Sequence, residues 1–507
     1  MTDNKYDVII IGSGLGGLEC GYILSQEGYK VLILEKNKQI GGNLQTFARD
    51  RCIFDTGIHY IGGLSEGQNL HSYFKYFGIM DKLKMKKLDE DAYDVISFES
   101  DPQEYPHAQG YDNFKDNLLK YFPKEKEALN NYCDKLQEIC KHFPLYNLEE
   151  SEKNITETGL VDTSAKGFIE SITRNEKLQR VLAGTNVLYA GVGDKTPLYV
   201  HALVINSYIE SSYRCVDGGS QIARILTSKI MANGGKILKH SEAKRLIVEG
   251  DQCKYVETKE GERFEGKHFI SNIHPVGTLE MIESDKIRKA YRERINTLEN
   301  TISTFIVYVV LKKDANIPYF NRNYYHYINE DVWDQMRYRE NTWPEGYALF
   351  TSAHSKSHDD CESLTIMAYM HYDEVKKWEN TFNTVSHEDY RGEDYEAFKT
   401  EKAEKLLIEV EKKIPGLRSK IYKYYTSTPL SYRDYIGTKD GSLYGILKDY
   451  NDPIKTFISP KTKIPNLYLT GQNLNMHGVL GVTIGAINTC SHLLGLKYLL
   501  GKIKSVL

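Results

Sequence analysis

Three glycines near the start of the chain have the spacing of a nucleotide-binding loop. Gly12, Gly14 and Gly17 follow the pattern G-x-G-x-x-G, and the acid Glu35 comes 18 residues after the last of them. In such a loop the first glycine makes a tight turn, the second lets a pyrophosphate approach the backbone, and the third allows close helix packing. A carboxylate at the position of Glu35 can bind a ribose diol. The pattern therefore predicts a dinucleotide site; the alternative is a glycine-rich turn without a ligand.

The elements around these glycines have to place them at the edge of a parallel sheet. Residues 7–11 form an apolar run rich in β-branched side chains, which predicts a buried strand. Residues 15–27 predict a helix that Gly28 can end, and Val31–Leu34 predicts a second buried strand. A helix that begins at the loop directs its free N–H groups and its dipole toward an anion. This order of strand, turn and helix makes the glycine spacing more specific.

A second glycine pair follows soon after the acid. Gly41 and Gly42, followed by Asn43, begin six residues past Glu35, and such a pair is not part of a simple nicotinamide-binding fingerprint. The pair resembles the extended FAD motif of the flavoprotein group that contains the amine oxidases and carotenoid desaturases. There it brings further backbone to the pyrophosphate. The resemblance implies FAD as the cofactor, and the alternative is a surface turn.

Residues 53–63, IFDTGIHYIGG, resemble the corresponding stretch of the retinol saturase and carotenoid isomerase family, which also includes the phytoene desaturases. The resemblance implies that this stretch runs beside the isoalloxazine ring, where Gly57 permits close approach of the backbone. His59 and Tyr60 would be the first titratable side chains near the reactive edge, so they are the candidate catalytic residues. The alternative for His59 is a packed histidine that only shapes the turn.

The C-terminal part of the chain carries a further glycine-rich segment. An apolar strand at 466–470 ends in a glycine and a polar pair, and a helix begins near Gly481. This resembles the family's C-terminal flavin motif, in which the helix N–H groups point at flavin N1 and the C2 carbonyl. The family usually has an acid at position 473. The asparagine found here puts flavin affinity and potential in question.

The glycine loops and the family resemblance together give the predicted set of cofactor-binding residues. Ala243 belongs to this set because it matches the position where the family's backbone contacts the adenine. The set is Gly12, Gly14, Leu15, Gly16, Gly17, Glu35, Lys36, Gly41, Gly42, Asn43, Gly57, Ala243, Gly471, Gln472, Asn473, Gly481, Val482 and Thr483.

The FAD motifs lie in three separate parts of the chain. The resemblance implies an α/β fold in which a Rossmann-like FAD-binding domain is interleaved with an α+β substrate domain, as in the amine oxidases and phytoene desaturases. The FAD-binding domain is expected in segments 1–69, 215–290 and 455–507. The substrate domain is expected in a helical segment, 70–214, and a sheet segment, 291–454, with the ligand between the two domains.

Composition narrows the classes of function. The net charge of −4 over 507 residues gives no basic surplus for nucleic acid. The eight cysteines form no C-x-x-C pair, so free thiols in a reducing cytoplasm are expected. No secretory signal and no apolar window of about 18 residues is recognised. A last helix is predicted at 491–507; it either closes the core or makes a peripheral contact with a membrane surface.

No metal site is predicted. His354 and His358 stand four residues apart beside Asp359 and Asp360, and on a helix the two imidazoles would share a face. The serine, lysine and aspartate residues around them are typical of a loop instead.

The resemblance implies an FAD-dependent oxidoreductase that saturates a carbon–carbon double bond of an apolar polyene, retinoid or isoprenoid. Reduced flavin would deliver hydride to one carbon, and His59, Tyr60 or water would give the other a proton. Desaturation and cis–trans isomerisation on the same fold are alternatives. A non-enzymatic alternative is a lipid-binding protein of the Rab GDP-dissociation-inhibitor type, which Glu35 and the second glycine pair disfavour. No second dinucleotide fingerprint is found, so the electron donor is not predicted.

Overall fold

Two seven-stranded sheets organise the chain in the computed structural model, which describes residues 4–150, 159–355 and 359–507. In chain order the strands of these residues are β1 Lys5–Ile11, β2 Val31–Leu34, β3 Thr46–Arg49, β4 Cys52–Asp55, β5 Ile61–Gly62, β6 Met85–Lys87, β7 Asp94–Phe98, β8 Asp101–His107, β9 Ser212–Cys215, β10 Lys236–Leu238, β11 Ala243–Glu249, β12 Gln252–Thr258, β13 Arg263–Ser271, β14 Ser303–Leu311, β15 Asn323–Tyr327, β16 Gly346–Thr351, β17 Ser363–Met370, β18 Asn383–Thr384, β19 His387–Glu388, β20 Ile421–Ser427 and β21 Leu467–Leu469. The α-helices are α1 Leu15–Gln26, α2 Asn69–Tyr76, α3 Tyr111–Leu119, α4 Lys126–Lys141, α5 Ala165–Ile172, α6 Glu176–Ala183, α7 Leu198–Glu210, α8 Ser220–Ala232, α9 Pro275–Glu280, α10 Lys289–Asn296, α11 Glu393–Lys413, α12 Leu417–Lys420, α13 Pro429–Ile436, α14 Pro453–Thr456, α15 Gly478–Leu494 and α16 Leu496–Lys504.

The first sheet joins segments that are far apart in the chain. Its order is β10-β2-β1-β13-β12-β11, and β21 pairs with β13. Strands β10, β2, β1, β13 and β21 are parallel, whereas β11 and β12 form an antiparallel extension. All of β2 and most of β1 are buried, because helix α1 packs against these strands together with α8 and α15. The carboxyl ends of β1 and β2 lead into the glycine loop and Glu35.

The second sheet has the order β20-β14-β17-β16-β15-β7-β8. Most neighbours are antiparallel, but β15 and β7 run parallel, and their register places Asn323 beside Asp94. Every residue of β14 and β17 is buried, since these central strands have covered faces on both sides. Helix α11 covers one face with Leu406, Leu407 and Val410.

The two sheets draw their strands from different segments of the chain, and the predicted domain boundaries stay predictions. Strands of the first sheet lie within segments 1–69, 215–290 and 455–507, and strands of the second lie within 70–214 and 291–454. The predicted fold class, a Rossmann-like α/β unit interleaved with an α+β unit, is confirmed by this topology.

The helical character predicted for 70–214 is wrong in part. Helices α3 to α7 lie in that segment, but β7 and β8, which form an edge of the second sheet, lie in it as well. Strand β8 reads DPQEYPH, and its prolines and polar residues do not resemble a strand. An edge position tolerates them, because one side of β8 needs no ladder hydrogen bonds and three of its residues are exposed.

The C-terminal helix also differs from the prediction. The predicted helix at 491–507 is the end of α15 followed by α16, and Gly495 separates the two with a φ of +87°. Helix α16 packs against α2 and buries Leu499, Leu500 and Ile503. Within the described ranges, no helix is both long and apolar enough to cross a membrane.

All eight cysteines are free and buried. Burial raises the pKa of Cys52 and Cys361 to about 11. It raises the pKa of Cys133 and Cys140 to about 12. These thiols therefore stay protonated at neutral pH.

Candidate active site

A cavity of about 390 Å³ is lined by residues from both sheets. Loops at the carboxyl ends of the parallel strands form one part of its wall, and side chains of the second sheet form another. Most of the predicted cofactor residues line it, namely Gly12, Gly14, Leu15, Gly16, Glu35, Lys36, Gly41, Gly42, Asn43, Gly57, Ala243, Gly471, Gln472, Asn473 and Val482. The structure thus brings together residues from three distant segments, and their binding roles stay predictions.

Three predicted cofactor residues do not line the cavity. A Cβ on Gly17 would lie 2.1 Å from the carbonyl oxygen of Gly12, so this glycine serves the packing of α1. Thr483 is buried and donates a hydrogen bond to Oε1 of Glu19 at 2.7 Å. A Cβ on Gly481 would come within 2.7 Å of the preceding loop. These three residues therefore belong to the packing of α1 and α15 and not to the cavity lining.

The glycine loop has the backbone that its sequence predicts. Gly12, Gly41 and Gly42 have φ values of +92°, +119° and +55°, a region that favours glycine. Gly14 and Gly41 form a backbone bridge, which joins the two glycine segments. Gly14 is also the N-cap of α1, and as a glycine it has no side chain that could bond the N–H groups of the first turn. The N–H groups of the first turn are therefore available to an anion.

The carboxylate of Glu35 is held in one orientation. Its Oε2 accepts hydrogen bonds from the backbone N–H of Ser13 at 3.1 Å and from the Ser13 hydroxyl at 2.5 Å. Its Oε1 accepts from the N–H of Asn37 at 2.8 Å. A carboxylate oxygen has two lone pairs, so Oε1 retains the capacity to bind a hydroxyl group.

Two residues of the cavity wall carry buried amide oxygens that accept no hydrogen bond from the described residues. Asn43 Oδ1 and Asn473 Oδ1 are buried, and neither has a hydrogen-bond partner among the described residues. An unsatisfied buried acceptor costs about 1–3 kcal/mol, so a ligand with donors at these positions would be stabilised. FAD has a pyrophosphate, sugar hydroxyls and a ring N–H. The residues present fit such a group: the glycine cradle (Gly12, Gly14, Gly41 and Gly42), Glu35 and the two amide oxygens.

His59 lines the cavity as a neutral, stacked ring. Its imidazole stacks on Phe350 with ring centroids 4.4 Å apart and an angle of 11° between the planes. Burial, together with the nearby charge of Arg214, lowers the pKa of His59 to about 4. At neutral pH the ring carries no excess proton, which makes it a poor acid.

Tyr60 belongs to a buried polar network that the sequence did not predict. Its hydroxyl donates to Asp94 Oδ2 at 2.8 Å and lies 2.6 Å from the hydroxyl of Tyr325. Asn323 Nδ2 donates to Asp94 Oδ1 at 2.8 Å, and Asn323 Oδ1 accepts from Nη2 of Arg214 at 2.6 Å. Burial raises the pKa of Asp94 to about 7, against the lowering effect of its hydrogen bonds and of Arg214.

The network is assembled by sheet register. Tyr60 directly precedes β5, and β5 pairs with β9, which carries Arg214. Asn323 and Tyr325 alternate along β15, so both lie on one face of the sheet. The parallel pairing of β15 with β7 then sets Asn323 beside Asp94. No local motif links these residues, and only the polar residues in buried strands could have drawn attention to them.

The remaining wall is mainly apolar and aromatic. Such a lining favours an apolar ligand with few polar groups. The residues on this wall are Ile58, Val187, Leu188, Tyr208, Phe350, Met367, Tyr432, Leu443, Tyr444 and Val479.

Of the two histidines considered as metal ligands, His354 does not line this cavity. His358 lies outside the described residues, so its relation to His354 is not described. Among the residues that are described, no group of three or more His, Cys, Asp or Glu side chains could hold a metal ion.

Known proteins are similar to this chain over nearly its whole length. A model of the NAD(P)-binding Rossmann-like domain matches residues 10–77. All-trans-retinol 13,14-reductase from Homo sapiens is 26% identical over 97% of this chain and 86% of its own length. The chloroplastic prolycopene isomerase of Daucus carota is 25% identical over 96% of this chain and 80% of its own length. The chain resembles the retinol saturase and carotenoid isomerase family. The resemblance predicted from the sequence is thereby confirmed.

A solved structure gives the same result for the fold. A redesigned triple mutant of putrescine oxidase has a TM-score of 0.65 with this chain at 13% identity, and the match covers 97% of this chain and 99% of its own. This likeness shows a shared fold, as the amine oxidase resemblance predicted.

Proposed function

We propose that the protein is an FAD-dependent oxidoreductase that reduces a carbon–carbon double bond of an apolar polyene, retinoid or isoprenoid. The observation that carries the proposal is one cavity that joins a dinucleotide cradle to an aromatic and apolar wall. The similarity to a reductase named for all-trans-retinol supports both the chemistry and the class of substrate.

The cradle residues have distinct proposed roles. The first turn of α1 and the glycine loops would bind the pyrophosphate, and Glu35 would bind a ribose. Asn43 and Asn473 would accept hydrogen bonds from the cofactor through their unpaired oxygens. FAD, when bound, would supply the hydride equivalent that the reduction of a double bond requires.

The opposite wall has a different task. Tyr208, Phe350, Met367 and Tyr444 would orient an extended apolar substrate and exclude water from the reacting carbons. The neutral ring of His59 contributes to this wall by stacking. Tyr60 also lines the cavity, and its hydroxyl donates a hydrogen bond to Asp94.

The first test is cofactor binding. We expect the purified protein to show the two visible absorption bands of a flavin and to lose them on anaerobic reduction with dithionite. Glu35→Ala should weaken FAD binding about 10- to 100-fold, because a charge-assisted acceptor worth about 1.5–3 kcal/mol is lost. Glu27→Ala is the matched control, since Glu27 pairs with Lys502 on α16 and does not line the cavity.

The second test is the reaction itself. The reduced holoenzyme would be mixed with all-trans-retinol and with a carotenoid extract, and the products would be analysed by mass spectrometry. A gain of two hydrogens supports reduction. A product of unchanged mass indicates isomerisation. If the oxidised enzyme is used instead, a product that has lost two hydrogens indicates desaturation. A colourless protein that takes up no FAD contradicts the proposal and favours a lipid-binding protein.

A further inference from the structure

We propose that Tyr325 is the proton donor of the site and that Asp94 resupplies its proton through Tyr60. This inference rests on the proposed function, which supplies the hydride equivalent, and it assigns only the path of the proton. Neither Tyr325 nor Asp94 belongs to a motif of the sequence.

The path is continuous from the protein interior to the cavity. Asp94 Oδ2 lies 2.8 Å from the Tyr60 hydroxyl, which lies 2.6 Å from the Tyr325 hydroxyl. Asp94 is fully buried and does not line the cavity, whereas both tyrosines do. The Tyr60 hydroxyl is bonded on both sides. Within the described part of the chain the Tyr325 hydroxyl has Tyr60 as its one hydrogen-bond partner, so this hydroxyl, on a residue that lines the cavity, retains the capacity for a further bond.

The protonation state of Asp94 sets the direction of the hydrogen bonds. When Asp94 is ionised, Tyr60 donates to it and Tyr325 donates to Tyr60, so both protons point away from the cavity. When Asp94 carries a proton, it donates to Tyr60 and Tyr60 donates to Tyr325. The O–H of Tyr325 is then free to donate into the cavity. Protonation of Asp94 therefore leaves the O–H group of Tyr325 ready to donate its proton into the cavity.

The transfer balances in protons and electrons. Hydride addition at one carbon of the double bond moves the π electron pair to the neighbouring carbon. That pair bonds the proton of Tyr325 as its O–H bond breaks. The Tyr60 proton moves to the Tyr325 oxygen, and the Asp94 proton moves to the Tyr60 oxygen. Both tyrosines end as neutral phenols and Asp94 ends ionised. Before the next turnover a solvent proton from the cavity bonds the Tyr325 oxygen, the Tyr325 proton moves to the Tyr60 oxygen, and the Tyr60 proton moves to Asp94.

The surroundings of Asp94 make both of its states accessible. Burial favours the protonated carboxyl group, whereas the nearby guanidinium of Arg214 favours the ionised one, and the pKa lies at about 7. Arg214 is 1% exposed and donates to Asn323 and Thr351, and no described carboxylate forms an ion pair with it. Its charge is therefore available to stabilise Asp94 once the proton has left. The phenols that also face Asp94 are Tyr60, Tyr93, Tyr208 and Tyr325.

Other titratable groups near Arg214 lie outside the path, namely His59, Asp55, Cys361 and Tyr319. His59 is stacked on Phe350 and neutral. Asp55 accepts a hydrogen bond from the N–H of Gly219 at 2.7 Å, and its pKa is also raised to about 7 by burial. Because Asp55 titrates in the same range, a test has to separate its signal from that of Asp94.

Infrared difference spectroscopy of the holoenzyme gives a reading that needs no substrate. We expect a carboxylic acid band that titrates near pH 7 and disappears in Asp94→Asn, which separates it from Asp55. The band should shift in Tyr60→Phe and in Tyr325→Phe, because each removes a hydroxyl of the path. Tyr327→Phe is the matched control: it lies on the same strand, donates to the carbonyl of Gly184 at 2.8 Å and does not line the cavity.

Single-turnover reduction of all-trans-retinol by the dithionite-reduced holoenzyme gives the second reading. Tyr325→Phe should slow it about 10²- to 10⁴-fold, the usual contribution of a positioned acid. We expect the wild-type rate to fall above about pH 7, and Asp94→Asn should slow the reaction and abolish that fall, whereas Tyr327→Phe should stay within about threefold of the wild type. In D₂O the product should gain one deuterium from the solvent.

The outcomes separate this inference from the proposed function. A Tyr325→Phe rate within about threefold of the wild type overturns the relay and leaves the oxidoreductase in place. The relay is also overturned if the carboxylic acid band persists in Asp94→Asn or does not shift in Tyr325→Phe. If the wild type binds FAD but reduces no polyene, the proposed function fails, and the infrared bands alone then support or overturn the path.

Discussion

At the scale of single residues, burial decides which groups of the site can exchange protons. Tyr60 and Asp94 are both buried, and burial raises the pKa of each. His59 shows the opposite effect, because burial disfavours its cationic form. The sequence indicated both His59 and Tyr60 as candidates, and the structure gives them different environments: His59 stacks on Phe350, whereas Tyr60 donates to Asp94.

Asp94 should make the stability of the protein depend on pH. Its pKa is about 7 when folded and 3.8 ordinarily, so the folded state binds the proton more tightly and stability falls as pH rises through that range. The full effect is about 4 kcal/mol. Asp94→Asn should therefore lose less unfolding free energy between about pH 5 and about pH 8 than the wild type does, as urea denaturation would measure.

The control for that prediction is Asp194→Asn. Asp194 is exposed and pairs with Arg337, which lowers its pKa, so its effect lies at lower pH. The control should keep the wild-type slope. A wild-type slope in Asp94→Asn as well would show that Asp94 is ionised throughout the folded state.

Single residues also mark how far the sequence could predict the site. Gly12, Gly14 and Glu35 were found because one strand, one turn and one helix fix their geometry locally. Asp94 and Tyr325 were not found because they meet only through the pairing of β7 with β15. Strand register over hundreds of residues leaves no spacing that a reader of the sequence can recognise.

At the scale of elements, helix α1 packs closely against the loop after β1, and one substitution at Gly17 tests the importance of this packing. Gly17→Ala would place a Cβ 2.1 Å from a backbone oxygen, which neither a rotamer nor a side-chain shift can relieve. We expect a loss of about 3 kcal/mol or more, and weaker FAD binding because the loop has to move. Thermal unfolding and FAD titration would measure both effects.

Gly501→Ala is the matched control for the same substitution in a helix. A Cβ on Gly501 in α16 meets no atom within 4 Å. Alanine there should be neutral or should stabilise the protein by up to about 1 kcal/mol. Equal effects of the two variants would contradict a packing role for Gly17.

The elements that the sequence predicted well are those with strong local patterns. β1, α1 and β2 were expected at 7–11, 15–27 and 31–34 and lie at Lys5–Ile11, Leu15–Gln26 and Val31–Leu34. β8 was missed because prolines and acids hide an edge strand. The break before α16 was missed because leucines continue across Gly495 and carry the apolar pattern through it.

At the scale of the whole molecule, the chain passes repeatedly between the two sheets, and the cavity takes residues from both. FAD bound there should stabilise the two parts together. We expect calorimetry to show one unfolding transition whose midpoint temperature rises with FAD concentration. The free energy of unfolding should rise by about 2.7 kcal/mol when the FAD concentration is 100 times the dissociation constant. Two transitions, of which FAD moves only one, would show that the sheets unfold independently.

The buried cysteines have a practical consequence for such experiments. A maleimide reacts with a thiolate that it can reach, and all eight native side chains are enclosed. The folded protein should thus be nearly inert to alkylation. The rate at which the cysteines are labelled then reports how fast the protein unfolds. A single cysteine introduced on the exposed surface would then accept a fluorophore at one known position without removal of any native cysteine.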